Sequence, residues 1–284
     1  MLKFRWTWIA IALLLLCLLV GLWFFNRYRL APPLGTSQLS TQARRTEGHL
    51  ALGNPSNAGV TDPNNYLLTK KQYILSYNNA KRIPNWVSWR LTRADLGEVP
   101  RSNEFRMDET LPQGWYRVKA SDYSGSGYDR GHMIPAADRS STVEDNRATF
   151  LLSNILPQSP DNNQGPWAKF ENDCRELTKQ GKELYIISGG YGQKGQLQRG
   201  KISIPAHTWK VVAVLDQPGQ GAAGLSTRSR VIAIDVPNEQ GIKEDSWRKY
   251  RTTVDQLEQQ TGYDFLSLVP QEIQAAIEAR TDNR

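Results

Sequence analysis

Three β-branched, apolar runs constrain this chain more than any other feature: Glu183-Leu184-Tyr185-Ile186-Ile187-Ser188-Gly189, Trp209-Lys210-Val211-Val212-Ala213-Val214-Leu215 and Arg230-Val231-Ile232-Ala233-Ile234-Asp235-Val236. Gly-rich turns separate them, and such runs suit the central strands of one sheet. Residues 86–91 and 115–118 alternate as two further strands. Thr142, followed by Glu144 and Asp145, opens a short helix through Ala148, after which residues 150–153 return to extended structure. Pro166 fits the first turn of a helix that runs to about Gln180 and stops before Gly181. A helix over residues 244–261 ends at Gly262, and a last one covers residues 270–279. Strands and helices do not alternate regularly. The expected class is therefore α+β, a largely antiparallel central sheet flanked by helices. A length of 284 residues gives ample chain for a sizeable core, and no internal repeat is visible.

The N-terminus has a different character. Lys3 and Arg5 precede an apolar, leucine-rich run over residues 6–25, closed by Asn26-Arg27-Tyr28-Arg29. Twenty helical residues span roughly 30 Å, the thickness of a bilayer's hydrocarbon core. A cleaved signal has a shorter apolar region and a small-x-small cleavage site. Residues 1–29 are thus expected to form an N-terminal transmembrane helix that anchors the chain, with a cleaved signal and secretion as the alternative. Residues 30–62, rich in Pro, Gly, Ser, Thr, Asn and Gln, read as a flexible linker, with His49 a solvated bystander in it. Residues 63–284 form the globular domain.

The formal net charge is +7, which suggests a polyanionic partner. Most of it lies N-terminal to the domain, on Lys3, Arg5, Arg27, Arg29, Arg44 and Arg45, so bulk charge alone does not establish nucleic-acid binding. The two cysteines, Cys17 in the apolar run and Cys174 in a helix, make a disulfide framework improbable. Cys174 reads as a buried apolar side chain.

Two stretches concentrate chemistry. Asp129-Arg130-Gly131-His132-Met133-Ile134-Pro135 sets a carboxylate, a guanidinium and an imidazole within four residues. Asn162-Asn163-Gln164-Gly165-Pro166-Trp167-Ala168-Lys169-Phe170-Glu171 gives an amide-rich turn and then a helical carboxylate. Phosphodiester hydrolysis needs a base for water, a divalent cation for the developing charge and a cation for the phosphate oxygens. The two stretches hold candidates for each.

Together with Ser153-Asn154-Ile155, Pro157-Gln158 and the Tyr123-Ser124-Gly125-Ser126-Gly127-Tyr128 run, these motifs resemble the DNA/RNA non-specific endonuclease family, the sugar-non-specific nucleases with a ββα-metal active site. The likeness runs from about Asn64 to about Ala279. It implies that His132 is the general base and that Asn163 is the single direct protein ligand of a magnesium ion, with manganese as a substitute. It implies that Glu171 accepts hydrogen bonds from the ion's waters, and that Arg101 stabilises charge on the phosphate. Arg130 and Asn154 fall on family positions lining the site; Arg130 either contacts phosphate or pairs with an acidic neighbour. Asp129 either orients His132 or holds the local turn. Pro166 departs from the smaller or polar residues also found at its position. Glu171 lies eight residues after Asn163, which on an unbroken helix rotates it by about 80° and keeps both on one side. His207 matches no functional position.

The expected activity is metal-dependent hydrolysis of DNA and RNA without sequence or sugar preference, leaving 5′-phosphate ends. Such breadth is reasonable where contacts go to phosphate and sugar rather than base edges. A nuclease facing the cytoplasm would threaten its own genome, so the catalytic domain is expected outside it, periplasmic or extracellular. An inhibitor protein is a further expected partner. The alternatives are a membrane-tethered nucleic-acid-binding protein with an inactive nuclease fold, or another phosphodiesterase.

Overall fold

The structure, a computed structural model, describes residues 48–284. Strands β1 (Tyr66–Thr69), β2 (Ile74–Asn78) and β3 (Ile83–Leu91) form a meander. After a long loop come β4 (Asp129–His132), helix α1 (Val143–Ala148) and β5 (Ile155–Gln158). A helical segment entered at Pro160 leads into α2 (Ala168–Lys179). Then follow β6 (Glu183–Tyr191), β7 (Gly195–Gln196), β8 (Ser203–Ile204), β9 (His207–Leu215), β10 (Arg230–Pro237), β11 (Arg251–Thr252), α3 (Val254–Thr261) and α4 (Gln271–Glu278).

Seven strands make one sheet in the order β1-β2-β3-β6-β9-β10-β11, every pair antiparallel. Its side chains alternate between two cores. Val87, Trp89, Ile186, Val212 and Ile234 face one side, where Met133, Ile155, Trp167 and Phe170 cover them. Trp86, Ile187, Trp209, Val211 and Ala233 face the other, beneath Val254, Leu257, Phe265 and Ile277. Burial on both faces explains why the strands read as continuous apolar runs, a pattern more usual in parallel sheets. The β4–β5 ribbon stands apart from the sheet, pairing His132 with Ile155 and Asp129 with Gln158, and is followed by the helical segment to Lys179. This ribbon-then-helix unit is the ββα arrangement.

Several expectations need correction. The fold starts before residue 63: Leu52 and Ala58 are buried in the second core, and Asn54 and Ser56 bond to Ala58 and Asn65. Residues 48–62 are therefore packed chain rather than tether. His49 is not solvated, being only 8% exposed. Its ring accepts the Arg90 N–H through Nδ1 at 3.1 Å and lies 3.1 Å from the Lys71 carbonyl through Nε2. Burial, with the Arg139 charge, pushes its pKa down to about 4.

Residues 115–118 form no strand; Trp115 instead packs edge-on to Tyr66 and stacks with Tyr77. The stretch expected to extend over residues 150–153 enters a 3-10 turn at Leu152–Asn154. The helix expected over residues 244–261 is divided. Ser246 caps a 3-10 turn at Trp247–Tyr250, β11 follows, and a capping box at Thr253 and Gln256 starts α3. The apolar run over residues 6–25, with Cys17 and residues 30–47 of the expected linker, lies outside the described residues. Among the described residues no helix is long and apolar enough to cross a membrane.

Candidate active site

Strand alternation divides the first motif. Arg130 and His132 share one side of β4, whereas Asp129 and Gly131 face the other. Gly131 is required there, because a Cβ would lie 2.6 Å from the Gln158 Cβ across the ribbon.

His132 is 7% exposed and its Nε2 is buried without a hydrogen-bond partner. Two phenylalanines hold the ring edge-on or tilted, Phe150 at 4.8 Å and Phe105 at 5.3 Å between centroids. The same pair seats two arginines. The Arg101 guanidinium lies 5.0 Å from the Phe150 ring centre, and that of Arg130 4.3 Å from Phe105. Cation–π attraction fixes both charges beside the imidazole. Burial, then the Arg101 charge, lowers the His132 pKa to about 3, with Arg130 adding to the shift and a hydrogen bond with the Arg130 backbone opposing it. The imidazole is therefore neutral at physiological pH, as a proton acceptor must be.

Asp129 accepts hydrogen bonds from Asn163 Nδ2 at 2.8 Å and from Gln164 Nε2 at 2.9 Å. These bonds reach neither His132 nor its own local turn; they hold the remote amide-rich turn, 34 and 35 residues on. The bond uses the Asn163 amide nitrogen and so fixes the direction of Oδ1.

Asn163 and Glu171 do not lie on one unbroken helix. A π-type turn spans Asn163–Trp167, and Gly165 has non-helical angles of φ −99° and ψ −116°. A Cβ on Gly165 would fall 2.6 Å from the Lys243 carbonyl oxygen, so only glycine permits this close approach. Pro166 lies inside the break, where the helical hydrogen-bond pattern is already interrupted. The rotation of about 80° per eight residues therefore does not describe the pair.

Glu171 has a side chain 12% exposed, and its Oε1 is 3.2 Å from Lys210 Nζ. Burial raises its pKa, while the charges of Lys210 and Arg175 oppose the rise. Arg101 is held below its ordinary value by burial, and the Glu171 charge opposes that. Arg101 thus lies in electrostatic range of both His132 and Glu171. Behind them, Asp138 accepts from Arg175 Nη1 at 2.9 Å and from Trp89 Nε1 at 3.0 Å.

Asn154 does not line the site. It is 0% exposed and its amide is spent on structure. Nδ2 donates to the Ile134 and Thr149 carbonyls at 3.0 and 2.8 Å, and Oδ1 accepts the Ile134 N–H at 3.1 Å. It positions the chain leaving β4 and cannot touch substrate. His207 lies elsewhere, stacked on Tyr191 and 2.9 Å from Asp235 through Nδ1; that hydrogen bond raises its pKa.

Sequence reasoning missed Phe105, Phe150, Arg175 and Lys210. The first three carry no signal of their own. Lys210 does, as a lone charge inside an apolar strand.

Oxygen donors suit a hard cation such as magnesium, which takes few protein ligands and keeps its waters. The residues fit such an ion. The Asn163 amide oxygen is pre-aimed by Asp129, and Glu171 is an ion-paired carboxylate close to Arg101. Among the described residues, the one group of three His, Cys, Asp or Glu side chains spaced to hold a metal directly lies elsewhere.

The sequence pattern of DNA/RNA non-specific endonucleases matches residues 54–272. A nuclease from Nostoc sp. is 54% identical over 237 residues, covering 83% of this chain and 86% of the relative. The human mitochondrial nuclease EXOG is 31% identical over 208 residues; the match takes in 68% of this chain but 55% of that protein. The crystal structure of an EndoG/EndoGI complex, which concerns the mechanism of EndoG inhibition, superimposes with a TM-score of 0.66 at 24% identity, covering 80% of this chain and 94% of that one. That likeness shows a shared fold. With the family's pattern across most of its length and a relative more than half identical, the chain belongs to the DNA/RNA non-specific endonuclease family and is a hydrolase of nucleic acids.

Proposed function

We propose that the protein is a metal-dependent endonuclease that hydrolyses DNA and RNA without sequence or sugar specificity, with His132 as general base and Asn163 holding magnesium. The observation that carries this reading is the His132 Nε2, buried, unpaired and flanked by Arg101 and Arg130.

His132 takes the proton of the attacking water as its oxygen bonds to phosphorus. Arg101 and Arg130 bind the phosphate oxygens; the forked geometry of guanidinium suits two at once. Burial first, and their charges in addition, keep the imidazole neutral in the free protein. A bound phosphodiester offsets those charges and so raises the basicity of His132 as substrate arrives. Glu171, kept in place by Lys210, accepts hydrogen bonds from water in the site. A magnesium or manganese ion at Asn163 would supply Lewis-acid stabilisation of the charge that develops at phosphorus and the 3′ oxygen. Departure of that oxygen leaves 5′-phosphate ends.

The test is degradation of plasmid DNA and of RNA with magnesium present or chelated. His132→Ala is expected to lower the rate by about two to four orders of magnitude with binding nearly intact, and His207→Ala to stay active. Near-normal cleavage by His132→Ala, or full activity in chelator, overturns the mechanism.

We further propose that residues 6–25 anchor the protein in a membrane with the catalytic domain periplasmic or extracellular. The support is the length of the apolar run and its lack of a cleavage site. Recovery of full-length chain with membranes tests it; an N-terminus just after the run in soluble protein favours secretion. An inhibitor protein that covers the Arg101–Arg130 surface is the partner expected, by analogy with the EndoG/EndoGI complex.

A further inference from the structure

On the side of the sheet away from His132, helices α3 and α4 bring three carboxylates together. Asp255 and Glu258 stand one turn apart on α3, and Glu278 is the last residue of α4. One oxygen from each lies within 4.8 Å of the others. No salt bridge to any of the three is present among the described residues, and Asp264 adds a fourth negative charge in electrostatic range of Glu258 and Glu278.

Glu278 makes this more than a group of surface acids. It is 5% exposed, and its Oε1 is buried with no hydrogen-bond partner. It also stands at the C-terminal, negative end of its helix, where a carboxylate is disfavoured. Glu258 spends Oε1 on the Phe265 N–H at 2.9 Å, which orients its carboxylate. The hydrophobic neighbours Val254, Leu257 and Ile277 hold both helices on the sheet, so the oxygens cannot easily spread.

We propose that Asp255, Glu258 and Glu278 form a second divalent-cation site of the calcium type, structural in purpose and separate from the catalytic one. All-oxygen ligands exclude soft cations. Two oxygens on one calcium ion, each at about 2.3–2.6 Å, lie at most about 5 Å apart, so the spacing suits it. Calcium accepts an irregular set of carboxylates completed by water, whereas magnesium demands a near-octahedral arrangement. Burial and the surrounding acids hold the Glu278 carboxyl up at about 8, the direction expected where like charges lack a counter-charge. The bound cation would join α3 to α4 over β10.

Thermal unfolding of the full chain carrying Asn163→Ala, which removes the catalytic ligand, provides the test. Calcium chloride is compared with sodium chloride of equal ionic strength. At calcium about a hundredfold above its dissociation constant, Tm is expected to rise by about 5–10 °C. Adding Glu278→Gln or, separately, the exposed Asp255→Asn should abolish most of that rise. Glu278→Gln relieves repulsion, so without calcium it should unfold no earlier than its parent. No calcium-linked shift at millimolar concentration overturns the proposal, as does a shift that survives both substitutions. A Tm that responds to mild acid but not to calcium overturns it too, and leaves a cluster that shares a proton. None of these outcomes bears on cleavage at His132.

Discussion

Lys210 Nζ lies 3.2 Å from Glu171 Oε1 and 4.2 Å from the centre of the Trp167 ring, in a side chain 1% exposed. A second indole, Trp89, faces the ammonium at 5.4 Å. The pair joins the middle of the sheet to the helix of the ββα unit. Removing one member of a buried pair leaves the other uncompensated, at a cost of about 3–5 kcal/mol.

Lys210→Met is therefore expected to lower stability by about that amount and activity by about 10–100-fold, because Glu171 loses its orientation. In the fold Glu171 already binds its proton more tightly than in the unfolded chain. Raising pH through its folded value removes stability, and Lys210→Met moves that loss to higher pH. The acid limb of the pH–rate profile should move the same way. Adding Glu171→Gln should restore stability without activity. An unmoved pH–rate profile in Lys210→Met refutes the role.

Magnesium titrations separate three groups. Asn163→Ala removes the proposed direct ligand and should abolish activity at any accessible magnesium. Glu171→Ala and Asp129→Ala leave that ligand but loosen what surrounds it, at a cost of roughly 10–100-fold in apparent metal affinity. High magnesium should largely rescue these two. Equal rescue of all three would show that Asn163 is not the ligand.

Stability against pH reports on His132. Its pKa is about 3 in the fold, against the ordinary 6.5 of the unfolded chain, so between these values the unfolded chain binds more protons. The stabilisation is full above 6.5 and is lost as pH falls toward 3. At about 1.4 kcal/mol per pKa unit this is a several-kcal/mol effect. His49 contributes in the same direction over 6.5 to about 4, so the wild type is compared with His132→Gln at each pH. The imidazole resonance should not titrate between pH 8 and 5 in free protein, and its pKa should rise when a phosphorothioate dinucleotide binds. Titration near 6.5 in free protein contradicts this.

Asn154→Ala should act on folding, not on substrate. Three buried hydrogen bonds go with its amide, a loss of roughly 2–4 kcal/mol. Denaturant unfolding should show that loss while KM of the folded fraction stays put. A raised KM at full stability would return Asn154 to the substrate surface.

Local signals were legible where a short segment decides its own structure. The β-branched runs became β6, β9 and β10, and Thr142 caps α1 through the Asp145 N–H. Gly262 ends α3 with φ +73°. Signals failed where partners are remote. His49 is buried by Arg90 and Lys71, more than twenty residues away, and Asn154 is consumed by Ile134. The apolar Trp115 ring packs against Tyr66 and Tyr77 from a loop and is not carried into the core by a strand. Of the site, the motif residues were readable, but the aromatic seat of Phe105 and Phe150 was not, since it joins two loops with no pattern between them. Ser246, Thr253 and Gln256 did carry readable caps that divide residues 244–261.

The bond from Asp129 to Asn163 spans 34 residues, and Lys210 reaches Glu171 across 39. Neither turn nor strand alone assembles the site. An unfolded chain therefore carries every reactive group yet has no assembled site. Cleavage begins only when the ribbon, the helix and the sheet have docked, so folding itself acts as the safety catch.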